Sequence, residues 1–277
     1  MKKKLKENRR RRSVLVTTLV TLTIAAIIGC ALGFEKLRSL WREQAIITNM
    51  AEQVEIQSGI MVKADVIADF LGLRKGANLA LIDFKKKREE ILRKVPNLRD
   101  IKISHLQLNR VKIEIVEREP IARLGLKGVR HETGKVVDKE GVVFLCQRGT
   151  RLLPLIRESA NPGSPIGSRL TARSMAALRL LECCREGELR ELSVIEVDLA
   201  KQDFLTLTLG STYSRAKIIW QDMDLPQTPA SRASLERQLT MLLKAIRSHV
   251  GDDAIVWNAT DLSSPGKIYA DMKGLLQ

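Results

Sequence analysis

Residues Ser13 to Phe34, SVLVTTLVTLTIAAIIGCALGF, form a run of 22 residues with no charge, proline, Asn or Gln. As a helix rising about 1.5 Å per residue the run would extend roughly 33 Å, enough to cross a hydrocarbon layer of about 30 Å. Its serine and threonines can return their hydroxyls to the helix backbone and do not exclude a span. Residues 1–12, MKKKLKENRRRR, set eight Lys or Arg against Glu7 and carry +7 of the chain's net +15. The positive-inside rule then makes 1–12 a cytoplasmic tail and 13–34 a single membrane span, with everything beyond Phe34 outside the cytoplasm. Because the tail holds so much of the charge, the rest of the chain shares only +8, which argues against a nucleic-acid partner.

A cleaved signal peptide would have a shorter apolar run and a small-x-small cleavage site. Ile27-Ile28-Gly29-Cys30 resembles a bacterial lipobox, in which Cys30 would carry lipid. Apolar residues continue past Cys30, which favours the span, and either reading leaves an anchored protein outside the cytoplasm. The 277 residues are 44% hydrophobic, room for about two domains, and only 4% aromatic, so the core must be aliphatic. Cys146, Cys183 and Cys184 have no C-x-x-C spacing and read as buried thiols, and His105, His131 and His249 stand singly. No metal or cofactor site is predicted.

Residues 35–50 read as a juxtamembrane spacer in which Trp41 can anchor at the interface. A strand is expected at Val54 to Gln57, closed by Ser58-Gly59. KADVIADFLGL places Val66, Ile67, Phe70 and Leu71 on one helix face, and Gly72 ends it. Asp83 can cap a second helix, FKKKREEILRKV, with Phe84, Ile91, Leu92 and Val95 on one face and Pro96 as its stop. Lys85 to Arg88 lie on its other side, as a solvated face or a contact with anionic headgroups or a partner. Ile101 and Ile103, then Val111, Ile113 and Ile115, alternate with polar residues as two strands around a turn at Asn109. The order strand, helix, helix, strand, strand describes a small α/β domain with its helices on one sheet face.

The next stretch, VKIEIVEREPIARL, bears two carboxylates, Glu117 and Glu119, at a spacing that puts them on one side of an extended chain. A glycosidase-like pair needs about 5 to 9.5 Å between carboxyl groups flanking a sugar, and this spacing reaches the lower end. Pro120, however, cannot continue a central ladder, and no aromatic residues stand nearby to build a cleft. No G-x-S-x-G, P-loop or metal spacing occurs elsewhere, so no catalytic residue is predicted. Glu117, Arg118, Glu119 and Pro120 read instead as a junction where one domain ends and the next begins.

With these residues in view, a resemblance emerges. Gly76, Asn78, Leu79, Ile82, Asp83 and Pro96, followed by Glu117, Arg118, Pro120, Ile121 and Ala122, resemble the POTRA domain and following segment of the bacterial cell-division family FtsQ, also called DivIB. Val137, Asp138, Gly141 and Phe144 in GKVVDKEGVVFLC resemble that family's V-D-x-x-G-x-x-F hairpin, and Leu152 to Ile156 its L-P-x-hydrophobic strand. A helix is expected from about Thr171 to Glu186, then strands at Leu192 to Leu199 and Phe204 to Gly210. Thr228-Pro229 should open a long helix with Leu235, Leu239, Leu242, Leu243 and Ile246 along one face. The end, AIVWNATDLSSPGKIYADM, resembles the family's closing strand pair through Asp261-Leu262. Two features depart from the pattern: STYSRAKIIWQDMDLPQ is a longer connection than usual, and Ser263 stands where an arginine is common.

The resemblance implies an α+β protein with one N-terminal transmembrane helix, a small α/β POTRA domain at 51–119 and a bent antiparallel β-sheet domain with packed helices at 120–277. It also implies a non-enzymatic scaffold at the septum, in the cell inner membrane, bound to FtsB-like and FtsL-like coiled-coil division proteins. In that family a distal strand edge takes up a short partner segment. By position the edge is Lys267, Ile268, Tyr269, Ala270, Asp271 and Met272, with Tyr269 as aromatic anchor and Lys267 as a partner for a carboxylate. The alternative is an anchored periplasmic adaptor, lipidated at Cys30, with a POTRA domain not dedicated to division.

Overall fold

The computed structural model describes residues 29–30, 33–36, 40–57, 59–126, 134–146, 148–159, 163–210, 214–220, 223, 225, 228–249, 256–259 and 268–271. The tail 1–12 and most of the 13–34 segment lie outside these, and among the described residues no helix is long and apolar enough to cross a membrane. The protein is a mixed α+β fold with two sheets. It forms two compact units. One is drawn from Met1–Ser58, Lys63–Arg88 and Ile101–Ile115, the other from Gly59–Val62, Glu89–Asp100 and Val116–Gln277.

A three-stranded sheet holds β1 (Val54–Gln57), β2 (Leu98–Gln107) and β3 (Arg110–Glu117) in the order β1, β3, β2. β1 runs parallel to β3, with Val54 opposite Val111 and Ile56 opposite Ile113. Three helices accompany it: α1 (Met50–Gln53), α2 (Ala64–Leu71) and α3 (Phe84–Lys94). Gly72 ends α2 in the left-handed region, at φ 76°, where a residue without Cβ meets no steric cost. Ile67 and Leu71, one turn apart, are buried, whereas Val66 is exposed. The expected four-residue face is therefore narrower, because the 100° step carries Val66 to its flank. Asp83 caps α3 by accepting the Lys86 N–H at 3.0 Å.

The second sheet has nine strands. Along the chain they are β4 (Ala122–Leu126), β5 (Lys135–Val137), β6 (Val143–Leu145), β7 (Leu155–Glu158), β8 (Val194–Asp198), β9 (Leu205–Leu209), β10 (Arg215–Ile218), β11 (Val256–Ala259) and β12 (Tyr269–Asp271). Their spatial order is β12, β11, β10, β9, β8, β7, β4, β5, β6. This corrects the expectation of an antiparallel sheet: β4 with β7, β7 with β8, and β10 with β11 are parallel pairs. Parallel neighbours need a long crossover. α4 (Ala172–Cys183) supplies it between β7 and β8, and α5 (Pro229–Ser248) between β10 and β11.

β10 is a second correction. The stretch read as one long connection contains a strand in which Ala216, Ile218 and then Trp220 alternate inward and are all buried. Thr228 and Ser231 cap α5 reciprocally, with Pro229 in its first turn. Leu235, Leu239, Leu242 and Leu243 are buried in the core, joined there by α4 through Ala176, Ala177 and Leu180. Small residues at two of those α4 positions allow close approach of helix backbone to its neighbours.

The two ends of the nine-stranded sheet differ. Outside β6, Val142 bridges to Arg169, the Val143 N–H donates to Ser168 O at 2.9 Å, and the Gly167 N–H donates to Val143 O at 2.8 Å. That edge is covered. β12 is the terminal strand at the other end, and among the described residues no strand pairs with its outer side.

Candidate functional site

The four residues read as a junction follow one another within the second unit, and they have different environments. Glu117 closes β3 and turns its carboxylate onto the loop Gly59–Val62. Its Oε1 accepts the N–H groups of Met61 and Val62, each at 2.7 Å, and its Oε2 accepts that of Ile60 at 2.8 Å. Three successive amides converging on one anion form a nest, with charge-assisted bonds stronger than neutral ones. Gly59 makes the approach feasible, since a Cβ there would stand 2.0 Å from Glu117 Cδ. Both oxygens of Glu117 are thus engaged in holding a loop, while Glu119 is exposed.

Arg118 reaches the other way. Its backbone N–H donates to Asn97 O at 2.8 Å, its Nε to Pro96 O at 3.0 Å, and its Nη1 to Asp138 Oδ2. Asp138 is 2% exposed. Its Oδ1 accepts the Val142 N–H at 2.8 Å, and its carbonyl accepts the Gly141 N–H at 3.0 Å, closing the turn between β5 and β6. Gly141 sits at φ 76°, and a Cβ there would lie 2.2 Å from Met175 Sδ. Glu140 lies 3.8 Å from Arg118 Nη1 and pairs with Arg99 at 2.9 Å. After Pro120 the ladder resumes, with the Ile121 N–H donating to Val137 O at 2.8 Å. The E-R-x-P and V-D-x-x-G stretches are therefore one hydrogen-bonded assembly. Sequence reading named Pro96, Glu117, Arg118, Pro120, Ile121, Asp138 and Gly141, but not the amides of Ile60 to Val62, Gly59's role or the pairing of Arg118 with Asp138. The pairing spans 20 residues, and Glu117 meets its loop across more than 50, separations for which a local pattern carries no signal.

Of the edge residues, Lys267 and Met272 lie outside the described residues. Tyr269 to Asp271 form β12, with Asn258 opposite Tyr269, Trp257 opposite Ala270 and Val256 opposite Asp271. Ile268 packs on the core and Ala270 is exposed. β11 behind them is held by β10, and Val256, Trp257 and Ala259 are buried, so the edge has a rigid backing.

Cys183 and Cys184 are buried at the end of α4. Burial pushes the Cys183 thiol up to about 11 and the Cys184 thiol up to about 12, which keeps both protonated and unreactive at neutral pH. His105 meets Phe84 edge-on at 5.2 Å, and His249 meets Trp257 at 5.8 Å. Among the described residues no three His, Cys, Asp or Glu gather as a metal-ligand set. No known protein-family model matches the chain, and no curated protein matches its sequence.

Proposed function

We propose that this chain is a membrane-anchored scaffold of bacterial cell division, of the FtsQ type. In this reading residues 13–34 span the inner membrane, the first unit is a POTRA domain, and the second recruits FtsB-like and FtsL-like coiled-coil proteins at the septum. The observation that carries the reading is β12, a short terminal strand on a rigid sheet whose opposite end is covered by residues 167–170. Such an edge presents unpaired backbone donors and acceptors to which one extended segment can add, with alternate side chains setting specificity. The pairing of Arg118 with Asp138 supports it further, because it joins two of the stretches on which the resemblance rests.

The test is affinity purification of the full chain from membranes, with proline placed separately at Tyr269 and Ala270. Successive amides in a strand point to opposite sides, so one of the two prolines removes a donor facing outward. Co-purification of small coiled-coil membrane proteins, lost with one proline and kept with an Ile166→Ala control, is the expected result. Partners that differ in kind, or binding untouched by both prolines, would overturn the edge. Depletion should block septation and leave elongated or enlarged cells; normal division after verified depletion would remove the division assignment.

A further inference from the structure

We infer that one face of the first unit docks on an anionic bilayer surface, so that the unit lies against the membrane rather than hanging from it on a slack tether. The inference rests on the reading of 13–34 as a span. Residues 40–44 are helical, and the segment they begin is stitched to the loop 76–79. Asn78 Nδ2 donates to Arg42 O at 2.7 Å, the Leu79 N–H to Ala45 O at 2.9 Å, the Ile47 N–H to Ala77 O and the Gly76 N–H to Ile47 O, both at 2.8 Å. Ala45 and Ile47 are buried. What the sequence presents as a spacer is, from Arg42 onward, a fixed part of the fold. Only five residues, 35–39, lie between Phe34 and Leu40, so the two are at most roughly 22 Å apart even if the chain is fully extended.

At this clasp the fold leaves large apolar side chains in the open: Leu40 is 49%, Trp41 56% and Leu81 67% exposed. Asn78 links them, since the same side chain that holds Arg42 O accepts the Ala80 N–H at 3.0 Å in the 3-10 turn Leu79–Leu81. Tryptophan beside leucine suits the headgroup boundary, where an apolar ring and a polar N–H are both satisfied. The next element, α3, begins at Phe84; after its cap Asp83 the first turn holds Lys85 and Lys86, both exposed, and no acidic residue. Lysines at a helix N-terminus oppose the macrodipole, so helix stability does not account for them. An anionic headgroup layer does account for them, as it attracts basic side chains within a Debye length.

The test reconstitutes the full chain in nanodiscs whose lipids carry bromine on the upper acyl chain, in phosphatidylglycerol or in neutral phosphatidylcholine. Trp220 and Trp257 are buried, so quenched emission reports Trp41. A tryptophan introduced by Leu81→Trp in a Trp41→Phe background reports the fold itself rather than the end of the span. The expected result is quenching at both positions in phosphatidylglycerol and much less in phosphatidylcholine. Lys85→Gln and Lys86→Gln should each lower the docked to undocked ratio about five-fold. A chain that resists alkaline carbonate extraction but shows no quenching at Leu81→Trp overturns the docking and leaves the span standing. Quenching indifferent to lipid charge and to both lysines overturns the anionic surface. A chain that carbonate extracts from the discs overturns the span and the docking together.

Discussion

Gly59 and Glu117 should be coupled so tightly that either substitution abolishes what the other would cost. Glu117→Ala removes three bonds from backbone amides to a carboxylate. The Ile60 amide is exposed and regains water, whereas those of Met61 and Val62 are partly buried. At about 1.5 kcal/mol for each of the latter two, the loss is about 3 kcal/mol. Gly59→Ala puts a methyl 2.0 Å from Glu117 Cδ, so the carboxylate must retreat and about 2–3 kcal/mol of the same interaction disappears. Once Glu117 is alanine the methyl meets no carboxylate, and Gly59→Ala becomes neutral or gains about 0.5 kcal/mol by restricting the unfolded chain. The cycle therefore predicts a coupling of about 2–3 kcal/mol. Urea titrations of the four proteins in detergent, followed by tryptophan emission, measure it, because Trp220 and Trp257 are buried in the same unit as the latch. Amide exchange at Ile60 to Val62 gives the local readout. Losses that add to within about 0.5 kcal/mol, or a Gly59→Ala protein as stable as the parent, would refute the nest.

Three further outcomes follow from other contacts. Arg118→Ala leaves buried Asp138 without its cation and should cost about 3–5 kcal/mol in the same titrations. Arg118→Lys should restore only part of the loss, because a single ammonium returns the charge but not the guanidinium's separate Nε and Nη1 donors to Pro96 O and Asp138. Gly141→Ala should destabilise even in a Met175→Ala background, since removing Met175 Sδ leaves the φ of 76° unchanged; full rescue would show that space alone mattered. Cys183 and Cys184, with thiols raised from 9.0 to about 11 and about 12, should resist iodoacetamide until the chain unfolds. Above pH 9 the unfolded thiols ionise while the folded ones do not, so their contribution is complete below pH 9 and is lost as pH rises towards 11 and 12. A Cys183→Ala, Cys184→Ala protein should lose stability less steeply across that window.

Local order in this chain was legible because each signal sits within one turn or one strand. Gly72 ends its helix, Asp83 and Thr228 cap theirs, and the Val111, Ile113, Ile115 alternation marks β3. Strand direction was not legible: whether β4 lies beside β7 depends on how the β5–β6 hairpin and the chain after it cross the sheet, and whether β8 runs parallel to β7 depends on α4, and no single segment encodes either. β10 does carry a local signal, the alternation of Ala216, Ile218 and Trp220, but at four residues it is short and lies inside a stretch with many polar residues. At the E-R-E-P stretch the residues were identified but their partners were not. A carboxylate held by backbone amides leaves no complementary charge elsewhere in the sequence to search for, and Gly59 differs in no local way from a glycine that merely turns the chain.

The covered edge at β6 also bears on how many molecules can assemble through this sheet. A ladder open at both ends can pass a growing stack from copy to copy, which is the geometry of a fibre. Here residues 167–170 stop the stack at one end, so among the described residues the edge left for lengthening the nine strands is β12. Two copies meeting there would close on each other, and a foreign strand seated there would leave no further place on this sheet. Among the described residues, strand addition at high local concentration thus saturates this sheet's edge instead of propagating from it.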